Sequence, residues 1–198
     1  MWKPYLKVIR EKCSQALHVL DRFHIVAKMN DAVDDVRAEE ARKMRAAGHE
    51  ILKHTRWCLL KRKQNLTPDQ RFRLRDLLHY NLRTVRAYLL KEDFQQFWDY
   101  DSPTWAGKFL DDWCRQTMRS RIEPMKKIVR MLRSHRDLIL NYFKARKVIS
   151  SGTIEGLNNK AKVTMRKSYG FRTFRVTELA LYHSLGKLPE PETAHKFY

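Results

Sequence analysis

The sequence predicts a mainly α-helical chain that keeps one residual β-strand, residues 16–20, and carries a large all-helical insertion behind it. Three observations predict this. Apolar residues recur every three or four positions along most of the 198 residues, the spacing of a helix face turned toward a core. One run alone, Ala16-Leu17-His18-Val19-Leu20, is short, compact and bounded by helical patterns, as a buried strand is. Six glycines and six prolines are too few to punctuate an all-β sandwich.

Taken in order, Pro4 suits the first turn of a helix, and Tyr5, Leu6, Ile9 and Cys13 follow at helical spacing, so a short helix is expected over 4–13. The strand comes next and ends at Asp21. From Phe23, the residues Val26, Met29, Val33 and Val36 mark a long amphipathic helix to about Met44. Residues 46–145 read as helix almost throughout. Ile51, Cys58 and Leu59 share a stripe, and Thr67-Pro68-Asp69-Gln70 is a capping box with proline at the first helical position. Leu74, Leu77, Leu78 and Leu82 continue that helix, and Leu89, Leu90, Phe94, Phe97 and Trp98 form the next stripe. Ser102-Pro103 opens the segment holding Trp105, Phe109, Trp113 and Cys114. Ile122, Met125, Val129, Leu132, Ile139 and Phe143 mark a single last helix up to Lys147. The chain then breaks at Ser150-Ser151-Gly152-Thr153 and resumes as a helix from Ile154 to about Lys167. A turn at Tyr169-Gly170-Phe171, a helix over 176–185 and a frayed tail over 188–198 complete it. The expected organisation is a helix–strand–helix core over 1–45, the insertion over 46–147, a late helix pair over 148–187, and the tail.

A hydrophobic fraction of 43% is too high for a disordered basic tail. No stretch approaches the ~18 apolar residues of a membrane span, and the start lacks the apolar block of a signal peptide. Cys13, Cys58 and Cys114 lie far apart, without zinc or disulfide spacing, so a reducing cytoplasm is the expected compartment. The 41 Lys and Arg exceed the 22 Asp and Glu by 19. That surplus is uneven: residues 115–175 hold 17 cations against Glu123, Asp137 and Glu155, while residues 21–50 are nearly balanced. A folded basic half points to a polyanion, most often nucleic acid, against the plainer reading of a solvated cationic face. Charge alone does not separate DNA from RNA.

Glu155 is the acid with chemical promise. It opens a helix beside the stripe Ile154, Leu157, Ala161 and Met165, and at three- and four-residue steps it shares a face with Asn158, Lys162 and Arg166. A carboxylate for Mg²⁺ followed by an amide and cations for phosphates suits a phosphodiester substrate. The competing reading is a glutamate that stabilises a helix dipole. Asp21 and His24 likewise admit two readings: Asp21 capping the next helix, or Asp21 accepting a hydrogen bond from His24 and fixing its tautomer beside a metal site. Trp57, Trp98, Trp105 and Trp113 read as core, with Trp105 at a helix start the best exception for stacking on a base.

Together these features carry a resemblance. They are Met1-Trp2-Lys3-Pro4-Tyr5, Asp21-Arg22-Phe23-His24 with Ile25-Val26-Ala27-Lys28, a helical insertion, and Ser151-Gly152-Thr153-Ile154-Glu155-Gly156-Leu157-Asn158-Asn159-Lys160 with Lys162, Arg166 and Tyr169-Gly170-Phe171. Over essentially the whole chain this resembles the DDE transposases of bacterial insertion sequences, ISL-three type. The resemblance implies that the chain is the C-terminal part of a ribonuclease-H-like α/β domain, in which two Asp and one Glu hold two Mg²⁺ ions. Those ions serve hydrolysis of a DNA strand at the element's end and joining of its 3′ hydroxyl to target DNA. It implies that Glu155 is the third carboxylate and a metal ligand. Asp21 and His24 match an Asp-x-x-His signature that supports the site. Asn158, Lys160, Lys162, Arg166, Lys167 and Arg172 are the expected DNA contacts. The partners implied are transposon ends and target DNA, with room for a homo-oligomer, at the bacterial nucleoid.

The sequence departs from that pattern at its start. The second catalytic Asp of the family stands directly before the Met-Trp-x-x-Tyr segment, so neither it nor the first Asp lies among these residues, and Met1 reads as an internal methionine of a longer frame. The chain by itself is therefore expected to be inactive, and its lone strand to leave open edges that disorder the first fifth. The alternative is a basic helical DNA-binding or oligomerisation fragment that acts without catalysis. A ribosomal RNA-binding protein fits the charge but not the paired motifs.

Overall fold

A computed structural model describes residues 11–12, 15, 17–147 and 151–186, with the backbone alone for 151–155. The described residues are mainly helical, as expected, and contain no strand. The chain divides into two compact units, Met1–Ile149 and Ser150–Tyr198.

In the first unit α1 (Arg22–Ala46) is the central helix, matching the long amphipathic helix expected from Phe23. It buries Ile25, Met29, Ala32, Val33 and Val36. A short α2 (Arg56–Leu60) precedes a 3₁₀ turn at Lys63–Asn65, and α3 is Pro68–Leu77. The capping box forms as expected: Gln70 N–H donates to Thr67 Oγ1 at 3.3 Å, and Thr67 N–H to Gln70 Oε1 at 3.2 Å.

The next helix, α4 (Arg83–Gln95), has Leu82 at its N-cap and no side-chain cap of its own. Glu40 of α1 supplies one, accepting from Arg83 N–H (2.9 Å), Thr84 N–H (2.7 Å) and the Thr84 hydroxyl (2.6 Å). This bond set locks α4 against α1, where the two helices pack together. A 3₁₀ turn (Gln96–Asp99) leads to α5 (Pro103–Arg119), opened by Ser102-Pro103 as expected. Phe94, Phe97, Trp98, Trp113 and Phe143 form an aromatic centre, with Phe94 and Trp113 edge-on at 4.8 Å. Trp113 Nε1–H donates to the Leu90 carbonyl at 2.9 Å, so its one polar atom is paired.

The single helix expected up to Lys147 is two: α6 (Glu123–Ser134) and α7 (Arg136–Lys144). The cause lies in the last turn of α6. The Ser134 hydroxyl donates to the Met131 carbonyl at 2.8 Å, and His135 Nδ1 sits 2.9 Å from the same oxygen. Side chains there compete for a helical acceptor, and His135 leaves helical geometry at φ −126, ψ 20. α7 ends before Lys147 because Arg146 and Lys147 turn left-handed, at φ 52 and 60.

The expected strand over 16–20 does not form in the part described, residues 17–20. A strand needs a partner to take its backbone groups, and the described residues offer none. Instead Asn141 Nδ2 donates to the His18 carbonyl at 2.9 Å and Leu20 N–H to the Leu138 carbonyl at 3.3 Å. The segment is pinned to α7, a helix.

The second unit is a helical hairpin of α8 (Ser151–Lys167) and α9 (Phe174–Leu185). The break expected at 150–153 does not appear over 151–153, which already belong to α8, and Ser150 lies outside the described residues. The turn at Tyr169-Gly170-Phe171 is present, with Gly170 at φ +92 and its N–H on the Met165 carbonyl at 3.1 Å, a left-handed helix end that glycine permits. The helix expected over 4–13 lies outside the described residues except for helical Glu11 and Lys12, and the tail over 188–198 lies wholly outside them.

Candidate functional site

Asp21 stands where the extended segment enters α1. Its Oδ1 accepts the Phe23 N–H at 2.9 Å, so it caps the helix. His24 Nε2 is 3.8 Å from Oδ2, beyond hydrogen-bond reach, and the two side chains are 83% and 18% exposed respectively. Of the two readings open in the sequence, the cap is the contact formed; His24 adds attraction only when protonated.

Asp21 and His24 rim a hollow of about 350 Å³ with Lys28 and His135, over an apolar floor that includes Leu20, Ile25 and Ile139. His135 was invisible to sequence reasoning. It reaches the rim because the α6–α7 break turns the chain there, and no motif spacing marks it.

On α8, Asn158, Lys160, Lys162, Arg166 and Lys167 are exposed, as is Arg172 in the following turn. Asn158, Lys162 and Arg166 recur at four-residue steps on an unbroken helix and so share a face. Among the described residues of this unit the ion pair formed is Arg175–Glu178 at 3.0 Å, and none of those cations has a carboxylate partner among them. Glu155 lies within α8, but its side chain falls outside the described part. The apolar stripe expected to border a core is uncovered at Leu157 (46% exposed) and Met165 (43%).

Two tryptophans depart from expectation or sharpen it. Trp98 and Trp113 are buried, as read. Trp57, read as core, is exposed with the Arg56 guanidinium 5.2 Å from its ring, and Trp105, the expected exception, is exposed with the Lys108 ammonium 4.3 Å away.

No three His, Cys, Asp or Glu side chains come together as metal ligands among the described residues. Asp21 already commits one oxygen to its cap. The described donors therefore do not make up a two-Mg²⁺ site. No helix among them is long and apolar enough to cross a membrane.

The sequence is similar to those of known proteins. The family of ISL3 (ISL-three) proteins, described as transposases, matches residues 1–181. The transposase for insertion sequence element IS1001 of Bordetella parapertussis is 32% identical, over 87% of this chain and 43% of its own length. The transposase for insertion sequence element IS1557 of Mycobacterium tuberculosis is 28% identical, over 84% of this chain and 42% of its own. The chain thus spans less than half the length of the curated relatives it matches. No solved structure matches it. A match over nine-tenths of the residues, which takes in both the Asp21–His24 segment and all of α8, leaves one conclusion: the chain belongs to the ISL3-type family of insertion-sequence transposases.

Proposed function

We propose that these residues form the C-terminal part of a ribonuclease-H-like DDE transposase domain and bind DNA through α8. In this reading Glu155 is the third carboxylate of the site, with two Asp from elsewhere in the intact protein. Asp21 and His24 keep the supporting role of the Asp-x-x-His signature, and the full protein cleaves and joins DNA with two Mg²⁺ ions. The observation that carries the reading is the row of exposed cations on α8 that form no ion pair among the described residues, in a chain of this family. Such charges gain most by meeting phosphates, since each contact releases condensed counterions.

One carboxylate does not hold two Mg²⁺ ions the ~4 Å apart that in-line displacement needs. The 198-residue chain alone is therefore a DNA-binding fragment without strand-cleavage activity. Incubating it with DNA carrying the element's ends and Mg²⁺ or Mn²⁺ is expected to yield no nicked or joined product. Cleavage that vanished in Glu155→Gln would overturn this. Replacing Lys162 and Arg166 by Gln should weaken duplex binding and lower the salt slope by about 2, as two lost phosphate contacts require.

A further inference from the structure

Three parts of the first unit converge on a polar hollow of about 280 Å³: the first turns of α1, the turn over 60–64 that follows α2, and the end of α4 with Asp99. Five cations line it, Arg22, Lys61, Arg62, Lys63 and Lys91, against two carboxylates, Glu92 and Asp99. Glu92 serves two of the cations at once, Lys91 at 3.2 Å and Lys63 at 3.6 Å. Lys91 is 3% exposed, and its ammonium also donates to the Leu59 carbonyl at 2.6 Å. Its burial holds the ammonium below the ordinary lysine range, with Glu92 opposing that shift.

Among the described residues the remaining three cations form no ion pair, with Asp99 or with any other acid. Arg62 is exposed and has no carboxylate partner among the described residues. Arg22 rests its guanidinium 5.3 Å from the centre of the Trp98 ring. Lys61 reaches only an amide, Gln70 Oε1 at 3.4 Å. In the Asp21–His24 hollow, by contrast, Lys28 faces one carboxylate and the floor is apolar. Like charges gathered round a concavity repel one another, and an anion seated among them removes that cost. The lining is more polar than apolar and carries the donors of five cations, which suits a phosphate.

We propose that this hollow seats a backbone phosphate of duplex DNA, with Lys61 and Arg62 running along the backbone as a second DNA contact outside the basic half of the sequence. The proposal rests on the DNA reading above and adds a surface to it. The test is a titration of a labelled duplex with the 198-residue chain across a KCl series. Lys61→Gln/Arg62→Gln is compared with a control of equal charge loss at the exposed far end of α1, Arg42→Gln/Arg45→Gln, and with Arg62→Lys.

The first double variant is expected to lower the log–log salt slope by about 2 and weaken binding roughly tenfold at ~0.1 M salt. The control should change binding far less, and Arg62→Lys, which keeps the charge, should retain the wild-type slope. Wild-type binding with an unchanged slope in Lys61→Gln/Arg62→Gln, or an equal loss in the control, overturns this proposal alone. Absence of salt-dependent DNA binding by the wild-type chain overturns the DNA reading and this with it. Stronger binding to structured RNA, lost in the same variant, assigns the hollow to RNA and also overturns it.

Discussion

Asp111 and Arg136 show how a single pair responds to its surroundings. Arg136 forks onto the carboxylate, Nε to Oδ1 at 3.0 Å and Nη2 to Oδ2 at 2.8 Å, and its hydrogen bond holds Asp111 below the usual carboxylate range. A carboxylate lowered in the folded state adds stability above its unfolded pKa of ~3.9 and loses it as pH falls through the folded value. Asp111→Asn should therefore flatten the acid limb of stability below about pH 4. At pH 7 the pair is half exposed, and its loss should cost less than about 1 kcal/mol. Urea midpoints measured from pH 2 to 7 check both. The cysteines respond to burial instead. Burial raises the thiol of Cys58 and pushes that of Cys114 up to about 11, so neither forms much thiolate near neutral pH. In a Cys13→Ser background, both should resist a disulfide exchange reagent at pH 8 until denaturant is added. Prompt reaction of either in the native chain would refute the packing described for it.

At the scale of elements, caps decide where helices begin. The Thr67–Gln70 box was legible in sequence because all its parts lie within four residues. The cap of α4 was not, because its acceptor is Glu40, more than forty positions upstream. Removing that carboxylate leaves two backbone N–H groups of α4 without partners. Glu40→Ala should thus destabilise the first unit by about 2 kcal/mol, and Glu40→Gln by less, since an acceptor oxygen survives. Denaturant unfolding followed through the buried Trp98 and Trp113 measures the difference. The break at His135 belongs to the same class. Ile139 and Phe143 keep the helical period across it, so pattern alone reads straight through a fault set by Ser134 and His135 side chains.

Over the whole molecule the two units differ in how much they bury. The first has a continuous core from Leu20 to Phe143. In the second no described side chain is buried, and Leu157, Met165, Phe174 and Tyr182 are exposed. Two helices that bury so little do not offset the entropy of ordering them. A peptide of residues 150–198 should show weak, non-cooperative helicity by circular dichroism, whereas residues 17–147 should melt cooperatively.

The sequence by itself determined that the chain is helical, where most helices lie, that its later part is strongly basic, and which motifs mark its family. These follow from periodicity, charge and short spacings, all local properties of a chain. Tertiary structure alone decided the fate of residues 17–20, which lie against α7 and not in a sheet, the capping of α4 by Glu40, and the gathering of Arg22, Lys61, Arg62, Lys63 and Lys91 around one hollow. The reason is common to all three. Backbone groups and charges are satisfied by whatever the packed chain brings within about 3–4 Å, and residues far apart in sequence become neighbours only when the core closes.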